Sequence, residues 1–382
     1  MRFTPTFFAV LLGIAEAIVL PEPVGPYKVA HAAYPLTDKS RIDPYAPSNA
    51  SHPRSVMISV FWPVDNSIKC TTETAPYMPP ASAKLHGILA NAIGLPNSTF
   101  ADFSVDYCRV TGRKGCGARR QMYPLAIFSP GFGNSRLTYS ALAKSVASYG
   151  YIVVTVDHPY DANIVEFPDG TVIYGGHIGE DDASLEQAVK VRGEDITFVL
   201  SQLLDGPLKH TVARKFPGQI ACDKVLAFGH SLGGASSAAA MLSDKRILGG
   251  TNLDGKLIEP VLSKGLDRPF FLLGRPNHRQ EETTWVTFWD KLRGPKVEEE
   301  VLGATHGSFT DYPLLVNVLN IPEAYRPAIE AQFGTVKDVN LVTKTVANFF
   351  EFVLSGKAKP LLEQAASNSS GLRIVGQNIG SL

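Results

Sequence analysis

The sequence predicts an α/β fold with a mostly parallel central sheet, helices on both faces of that sheet and antiparallel strands near the N-terminus. From Tyr123 onward, short apolar runs alternate with helical patterns, which is typical of parallel strands joined by crossover helices. Earlier in the chain, apolar residues alternate with smaller or polar neighbours, as in an antiparallel strand: Val56, Ile58, Val60 and Trp62. At 382 residues with 45% hydrophobic positions, the chain can bury a sizeable core.

The region before Tyr123 is predicted to hold two paired strands, Gly25–Tyr34 and Ser55–Val64, with a loop at Pro35–Arg54 between them. The next region, Lys69–Gln121, is irregular in pattern and has one helical stretch at Ala81–Ala92. We interpret this next region as a decorated loop pinned by disulfides.

The alternating region supplies the predicted parallel strands, which cover Leu125–Phe128, Tyr151–Val156, Val225–Phe228, Ile247–Leu253, Phe270–Leu273 and Val297–Leu302. Predicted helices cover Arg136–Ser148, Ala183–Leu204, Ala235–Leu242 and Val339–Leu354. A hairpin turning at Asp169-Gly170 joins Ile164–Phe167 to Val172–Tyr174, and its place beside the strand ends makes it a candidate pocket wall. We expect a single catalytic domain at residues 18–360 and a polar tail at residues 361–382.

Residues 1–17 have the order of a secretory signal peptide: an early arginine, an apolar run at Phe7–Ile14 and a small-residue A-x-A motif. A membrane anchor is the competing interpretation, but the run is too short to span a bilayer. Sequons at Asn49, Asn97 and Asn368 predict N-glycosylation, which agrees with an extracellular location.

The four cysteines are an even set whose spacing resembles no zinc site: Cys70, Cys108, Cys116 and Cys222. Their number favours two disulfides over a metal site, and three pairings are possible. Four buried free thiols are the alternative.

The charge balance of 36 basic and 36 acidic residues argues against general attraction to nucleic acid or to an anionic membrane. One local exception surrounds Cys116, where basic residues cluster: Arg113, Lys114, Arg119 and Arg120. This segment is either a solvated basic loop or a site for an anionic head group.

The stretch Lys224–Met241 contains the pattern Gly229-His230-Ser231-Leu232-Gly233 between an apolar strand and a helix of small residues. Glycines on both sides of Ser231 let strand and helix fold back past each other, which is typical of a nucleophile elbow. Such a turn pushes the hydroxyl outward above a helix N-terminus. The alternative is an ordinary Gly-rich turn between a strand and a helix.

A serine hydroxyl needs an imidazole to take its proton and a carboxylate to orient that imidazole. In this arrangement the acid and then the histidine follow the serine, each after a strand. His306 follows the last predicted strand among small residues, whereas His278 lies in a charged segment and is interpreted as a surface residue. Asp254 directly follows the strand Ile247–Leu253 and is the predicted acid.

The other acids after Ser231 fit these positional rules less well. Asp267 precedes a strand, Asp290 lies on a predicted helix and Asp311 follows His306. His230 is predicted to line the site or to pack beside it. The tetrahedral intermediate needs two backbone N–H donors, and we predict those of Leu232 and of Phe132, the latter in a Gly-rich loop after Leu125–Phe128.

Five stretches resemble the secreted platelet-activating factor acetylhydrolases, serine-dependent lipases of the α/β-hydrolase fold. They are SPGFGNSRLTYS at 129–140, YGYIVVTVDHPYDA at 149–162, GHSLGG at 229–234, NLDG at 252–255 and GATHGSF at 303–309. The resemblance implies Ser231 as nucleophile, Asp254 as acid, His306 as base, and the amides of Phe132 and Leu232 as the oxyanion hole. Pro130 stands where the family usually has histidine and Leu232 where an aromatic residue is common, which leaves the backbone roles intact.

The leading hypothesis is therefore a secreted serine esterase without metal or cofactor that acts on short-acyl esters, including sn-2 acyl groups of phospholipids. Its expected partners are a small-molecule ester or phospholipid and, transiently, a lipid surface, with no nucleic acid. A second hypothesis keeps the fold but assigns cutin, polyester or general carboxylesters as substrate. A third is a non-catalytic secreted binding protein on a hydrolase scaffold.

Overall fold

The computed structural model describes residues 17–91, 95–111, 121–176, 178–319, 321, 323–366 and 371–380. The strands of these segments are β1 (Ile18–Val19), β2 (Lys28–Ile42), β3 (Pro53–Val64), β4 (Cys70–Pro76), β5 (Phe103–Val110), β6 (Met122–Ser129), β7 (Ile152–Asp157), β8 (Ile164–Glu166), β9 (Val172–Tyr174), β10 (Gln219–His230), β11 (Ile247–Leu253), β12 (Phe270–Gly274), β13 (Lys296–Val301) and β14 (Leu372–Asn378).

The α-helices are α1 (Pro80–Asn91), α2 (Thr99–Asp102), α3 (Ser140–Ala147), α4 (Asp182–Leu204), α5 (Pro207–Lys215), α6 (Leu232–Ser243), α7 (Val261–Lys264), α8 (His278–Glu281), α9 (Thr284–Lys291), α10 (Tyr312–Val318), α11 (Arg326–Phe333), α12 (Val336–Ser355) and α13 (Lys359–Ala366). Short 3-10 turns cover Ser48–Ala50, Arg136–Tyr139, His306–Phe309 and Glu323–Tyr325.

A nine-stranded sheet forms the centre of the molecule, in the order β14-β13-β12-β11-β10-β6-β7-β3-β2. Its middle, from β13 to β7, is parallel, whereas β3 pairs antiparallel to both β7 and β2, and β14 pairs antiparallel to β13. This arrangement confirms the predicted mostly parallel sheet with antiparallel N-terminal strands.

The two faces of the sheet bury separate apolar cores because side chains alternate along each strand. Phe128 and Phe228 face one core, which is closed by α3 and α12. Ile127 and Ala227 face the other core, which α4, α5, α6 and α9 cover. Helices on both faces thus bury nearly every side chain of the central strands, as expected for a parallel sheet.

The predicted loop at Pro35–Arg54 is shorter than expected, because β2 continues to Ile42. Pro35 pairs with Met57 within the ladder. The strand tolerates this proline because β2 is the edge of the sheet and needs no amide donor on its open side.

The region Lys69–Gln121 is more regular than predicted. β4 and β5 pair antiparallel, β1 adds to β5, and a disulfide joins Cys70 to Cys108 across the ladder. The predicted helix is confirmed as α1. Cys222 has no disulfide partner among the described residues, while Cys116 and the basic cluster around it lie outside them.

The segment expected to be a polar tail contributes structure, because α13 extends to Ala366 and β14 completes the sheet beside β13. The predicted hairpin is confirmed as β8 and β9. In the described part of the chain, no helix is long and apolar enough to cross a membrane. The predicted signal peptide, apart from Ala17, and the sequon at Asn368 lie outside the described residues.

Candidate active site

The turn between β10 and α6 forces Ser231 into a backbone conformation that residues with a side chain rarely adopt, with φ 54° and ψ −127°. The flanking glycines show why the turn is so tight. A Cβ at Gly229 would lie 2.2 Å from the carbonyl oxygen of Gly233, and one at Gly233 would lie 1.9 Å from that of Ser129. Only glycine fits at either position, so the sequence pattern and the strained serine have one cause.

Asp254 lies beside Ser231 because their strands are parallel neighbours in register, with His230 opposite Leu253. The N–H of Ser231 donates to the carbonyl of Leu253 at 2.9 Å. Gly255 must be glycine as well, because a Cβ there would lie 2.0 Å from the carbonyl oxygen of Ser231. The two chain turns therefore pack directly against each other.

His306 reaches Asp254 from the loop after β13, and its Nδ1 lies 2.7 Å from Asp254 Oδ2. The 3-10 turn that begins at His306 is closed by reciprocal hydrogen bonds between Thr305 and Ser308. The His306 side chain is 52% exposed, whereas Asp254 is buried. The acid is thus inaccessible, while the imidazole presents its outer edge to the surface.

His278 is not the surface residue that we predicted. It is 5% exposed, its Nδ1 lies 2.9 Å from Asp254 Oδ1, and its ring packs against Trp285. The main-chain N–H of Arg275 donates to the same Oδ1 at 2.9 Å. Both oxygens of Asp254 are therefore occupied, and the carboxylate cannot rotate freely.

Asp254 is held in its charged form by this arrangement. Burial alone would raise the pKa of Asp254, but the hydrogen bonds from His278 and His306 lower it well below its ordinary value. A carboxylate that stays ionised fixes the Nδ1–H tautomer of His306 and leaves Nε2 free to accept a proton.

The two predicted amide donors lie on loops that pack together. Leu232 is the first residue of α6, where the amides lack an intrahelical acceptor. The ring of Phe132 packs against the apolar cluster that contains Leu232, Ala235 and Ile258. The loop Ser129–Asn134 therefore approaches the helix N-terminus.

His230 lies behind the loop and is hydrogen-bonded, not free. Tyr139 Oη accepts the N–H of Gly131 at 3.1 Å and is hydrogen-bonded to His230 Nδ1 at 2.8 Å. The rings of His230 and His306 lie 4.4 Å apart between centroids. Burial lowers the pKa of His230 well below its ordinary value, so this ring is a neutral packing neighbour of the candidate base.

A second Ser-His-Asp chain underlies the same loop, and nothing in the sequence analysis singled it out. Ser129 Oγ lies 3.0 Å from His158 Nε2, and His158 Nδ1 lies 2.9 Å from Asp195 Oδ2. All three residues are at most 2% exposed. Arg54 donates to Asp195 at 2.8 Å, so the buried carboxylate is neutralised.

Of the other acids considered as the third group, Asp290 is exposed on α9, as predicted, and the remaining two are engaged elsewhere. Asp311 caps α3, where it accepts the N–H groups of Ala141 and Leu142 at 2.8 Å each. Asp267 pairs with Arg293. Among the described residues, no cluster of histidine, cysteine or acidic side chains is arranged to hold a metal ion.

The β8–β9 hairpin lines a cleft of about 840 Å³ together with α1, β3 and the Arg136–Tyr139 turn. Glu166 of the hairpin accepts the N–H of Ser82, which fixes the N-terminus of α1 at 2.8 Å. Phe167 and Gly170 face the cleft from the hairpin, and Met78 faces it from the other side. That this hairpin forms a wall of the substrate pocket stays a prediction.

Comparison with known proteins finds relatives of this chain. The family model described as platelet-activating factor acetylhydrolase, isoform II, matches residues 13–167. A probable 1-alkyl-2-acetylglycerophosphocholine esterase of Arthroderma benhamiae is 32% identical over 381 residues, covering 94% of each chain. A platelet-activating factor acetylhydrolase of Cavia porcellus is 29% identical over 217 residues, covering 50% of this chain and 49% of the relative.

Among solved structures, a ferulic acid esterase from Streptomyces cinnamoneus superposes with a TM-score of 0.74. It is 30% identical in sequence and covers 94% of this chain and 99% of its own. The agreement in fold extends over nearly the whole length of both proteins.

Proposed function

The chain belongs to the platelet-activating factor acetylhydrolase family and is a carboxylic ester hydrolase, and from this premise we propose that it is a secreted serine esterase for short-acyl esters, with the sn-2 acyl groups of phospholipids as its substrate class. In this proposal Ser231 is the nucleophile, His306 the base and Asp254 the acid. The observation that carries the assignment is the 2.7 Å contact between His306 and Asp254, beside the strained Ser231 turn.

The proposed reaction has two halves. In the first, His306 Nε2 takes the Ser231 proton as Oγ attacks the ester carbonyl, and the oxyanion accepts the N–H groups of Phe132 and Leu232. The imidazolium then protonates the leaving alkoxide, which leaves an acyl-serine. In the second half, water attacks the acyl-serine with His306 again as base, and the carboxylic acid is released with Ser231 regenerated.

The substrate class is supported by the apolar cluster beside the elbow. Its buried members include Leu232, Ala235 and Ile258, and the partly exposed residues packed against them include Phe132 and Leu185. This surface offers an apolar wall of limited extent to an acyl group next to Ser231.

Secretion is supported by the disulfide between Cys70 and Cys108, since such bonds persist in oxidising compartments. Asn49 and Asn97 are exposed, so both sequons are accessible to glycosylation. On α1, Ile88 and Leu89 are 52% and 49% exposed and offer a small apolar surface for transient contact with lipid.

The structural relationship to a ferulic acid esterase favours one rival, an esterase for non-lipid carboxylic esters. The two proposals share all catalytic residues and differ in the acid and alcohol that the walls accept. A substrate panel therefore separates them.

The test compares wild type with Ser231→Ala on a phosphocholine with an sn-2 acetyl group, p-nitrophenyl acetate, methyl ferulate and a polyester film. We expect Ser231→Ala to lose hydrolysis of every substrate by at least about 10⁴-fold. Ser243→Ala is the matched control, because Ser243 carries an exposed hydroxyl at the far end of the same helix. This variant should retain full activity.

A fluorophosphonate probe should label wild type and Ser243→Ala but not Ser231→Ala. Activity within about tenfold of wild type in a folded Ser231→Ala variant would overturn the nucleophile assignment. Preference for methyl ferulate or the film over the phospholipid would instead reject the substrate class and leave the catalytic residues in place.

A further inference from the structure

Arg192, in the middle of α4, is a buried cation that contacts the loop Ser129–Asn134, which carries the proposed oxyanion donor Phe132, and has no part in the reaction above. It is 1% exposed. Its guanidinium donates to the carbonyl oxygens of Pro130 at 2.6 Å and Gly131 at 3.2 Å. The other side of the fork is held by both carboxylate oxygens of Asp161.

The contact with the Gly131 carbonyl determines where the next amide points. The carbonyl of Gly131 and the N–H of Phe132 belong to one planar peptide unit, in which C=O and N–H of a trans bond point in opposite directions. Holding the oxygen toward α4 therefore turns the Phe132 N–H to the opposite side of the loop. A hydrogen bond to the carbonyl also polarises the peptide and makes that N–H a better donor.

Three further contacts hold the same loop in place. The N–H of Asn134 donates to the Gly131 carbonyl at 3.1 Å, and the N–H of Asn163 donates to the Gly133 carbonyl at 2.9 Å. At the start of the loop, His158 holds the hydroxyl of Ser129. The loop is thus held by contacts within itself and by His158 and Asn163, which follow β7.

We infer that Arg192 is a positioning residue for the oxyanion hole: with Asp161 as its anchor, it sets the orientation and donor strength of the Phe132 amide. The inference rests on the proposed function and deepens it. In this view Arg192 stabilises the oxyanion of the transition state through the Phe132 amide and does not contribute to binding of the ester. A guanidinium is suited to this role because its planar fork reaches two carbonyls and a carboxylate at once.

The test measures kcat, KM and inhibition by a trifluoromethyl ketone, which forms a tetrahedral oxyanion adduct with a catalytic serine. For Arg192→Met we expect kcat to fall by about 10- to 100-fold and trifluoromethyl ketone affinity to fall by the same factor. KM should change by less than about threefold, because ester binding does not use the oxyanion donor. Arg192→Lys should be intermediate, since an ammonium cannot reproduce the fork.

Arg268→Met is the matched control. Arg268 also donates to main-chain carbonyls, those of Asp244, Ile247 and Met241, but at the opposite end of β11 and α6 from the elbow. Its loss should lower stability without changing kcat or trifluoromethyl ketone affinity.

A folded Arg192→Met variant with wild-type kcat and trifluoromethyl ketone affinity would overturn the inference. If Arg192→Met does not fold, Arg192→Lys and Asp161→Asn provide the same comparison. Asp161→Asn removes the charged partner that holds the Arg192 guanidinium in place. Loss of activity in Ser231→Ala with no effect at Arg192 rejects the inference alone. Full activity in Ser231→Ala rejects the proposed function as well.

Discussion

Two sets of serine, histidine and aspartate lie near the loop Ser129–Asn134, and in both the histidine Nδ1 contacts the aspartate. In the first, Asp254 lies 2.7 Å from His306, beside Ser231. In the second, His158 bridges Ser129 and Asp195 at 3.0 and 2.9 Å. The His306 side chain is 52% exposed, but His158 is 2% exposed.

This difference in access changes what each imidazole can do. Burial lowers the pKa of His158, so it stays neutral, with Nδ1–H donated to Asp195 and Nε2 accepting the Ser129 hydroxyl. An imidazolium at that site would be buried among Arg54 and Arg192. At His306 the imidazolium can be solvated on one side. We therefore expect the surroundings of each group, not its hydrogen bonds, to decide between catalysis and structural support.

Replacing each histidine by glutamine gives the largest expected contrast. His306→Gln should lower kcat by at least about 10⁴-fold and lower the free energy of unfolding by about 1 kcal/mol or less, because a half-exposed side chain loses one hydrogen bond to Asp254. His158→Gln should lower the free energy of unfolding by about 1–3 kcal/mol but lower kcat by less than about tenfold. Urea unfolding and ester hydrolysis measure both effects. Equal losses of kcat in the two folded variants would contradict the contrast.

Asp195, the buried acid that contacts His158, should contribute more to the free energy of unfolding than an exposed acid does. Burial alone would raise the pKa of Asp195, but the charge of Arg54 and the hydrogen bond from His158 lower it well below its ordinary value. Asp195→Asn leaves Arg54 buried without its main partner, and we expect a loss of about 3 kcal/mol in the free energy of unfolding.

Asp205→Asn is the control for this substitution, because Asp205 is 79% exposed and 3.5 Å from Arg246. It should change the free energy of unfolding by less than about 0.5 kcal/mol. Equal unfolding midpoints for the two variants would show that the buried pair contributes no more than a surface pair.

A carboxyl that is buried without a partner completes the comparison. Glu299 on β13 is fully buried, neither oxygen has a hydrogen-bond partner in the described residues, and burial raises its pKa to about 8. The folded protein therefore keeps a proton that the unfolded chain releases near pH 4.5, so stability falls as pH rises from 4.5 to 8.

Glu299→Gln should remove this dependence. We expect the variant to gain about 2–4 kcal/mol over wild type at pH 8 and much less at pH 4.5, measured by urea unfolding at both values. Glu300→Gln, on the same strand, should instead lose stability because it removes the partner of Arg373. A gain at Glu299 that is equal at both pH values would reject the ionisation as its cause.

The parts of the fold that the sequence predicted well are those where local pattern and burial coincide. Ile247–Leu253 has the predicted bounds because six of its seven residues are buried. β4 and β14 were not predicted as strands because most of their side chains are exposed, so apolar residues do not alternate. Their pairing depends on partners far away in the chain, which local pattern does not encode.

The same reasoning explains the site. Ser231, Asp254 and His306 each follow a strand, and parallel strands bring their carboxyl ends to one edge, so positional rules predict these residues together. His278 also follows a strand, β12, but its charged neighbours suggested a surface loop. Arg192 and His158 carry no local signal, because a polar side chain on a buried face is recognised only once its partner is placed.

β14 has a consequence for the order of synthesis. It is made after all the other strands of the sheet, yet it pairs with β13 along its length, and Arg373 on it neutralises Glu300. Until β14 emerges, β13 is an open edge whose unpaired backbone groups can pair with other chains. A chain shortened before Leu372 is therefore expected to aggregate during production while every residue of the proposed active site is present.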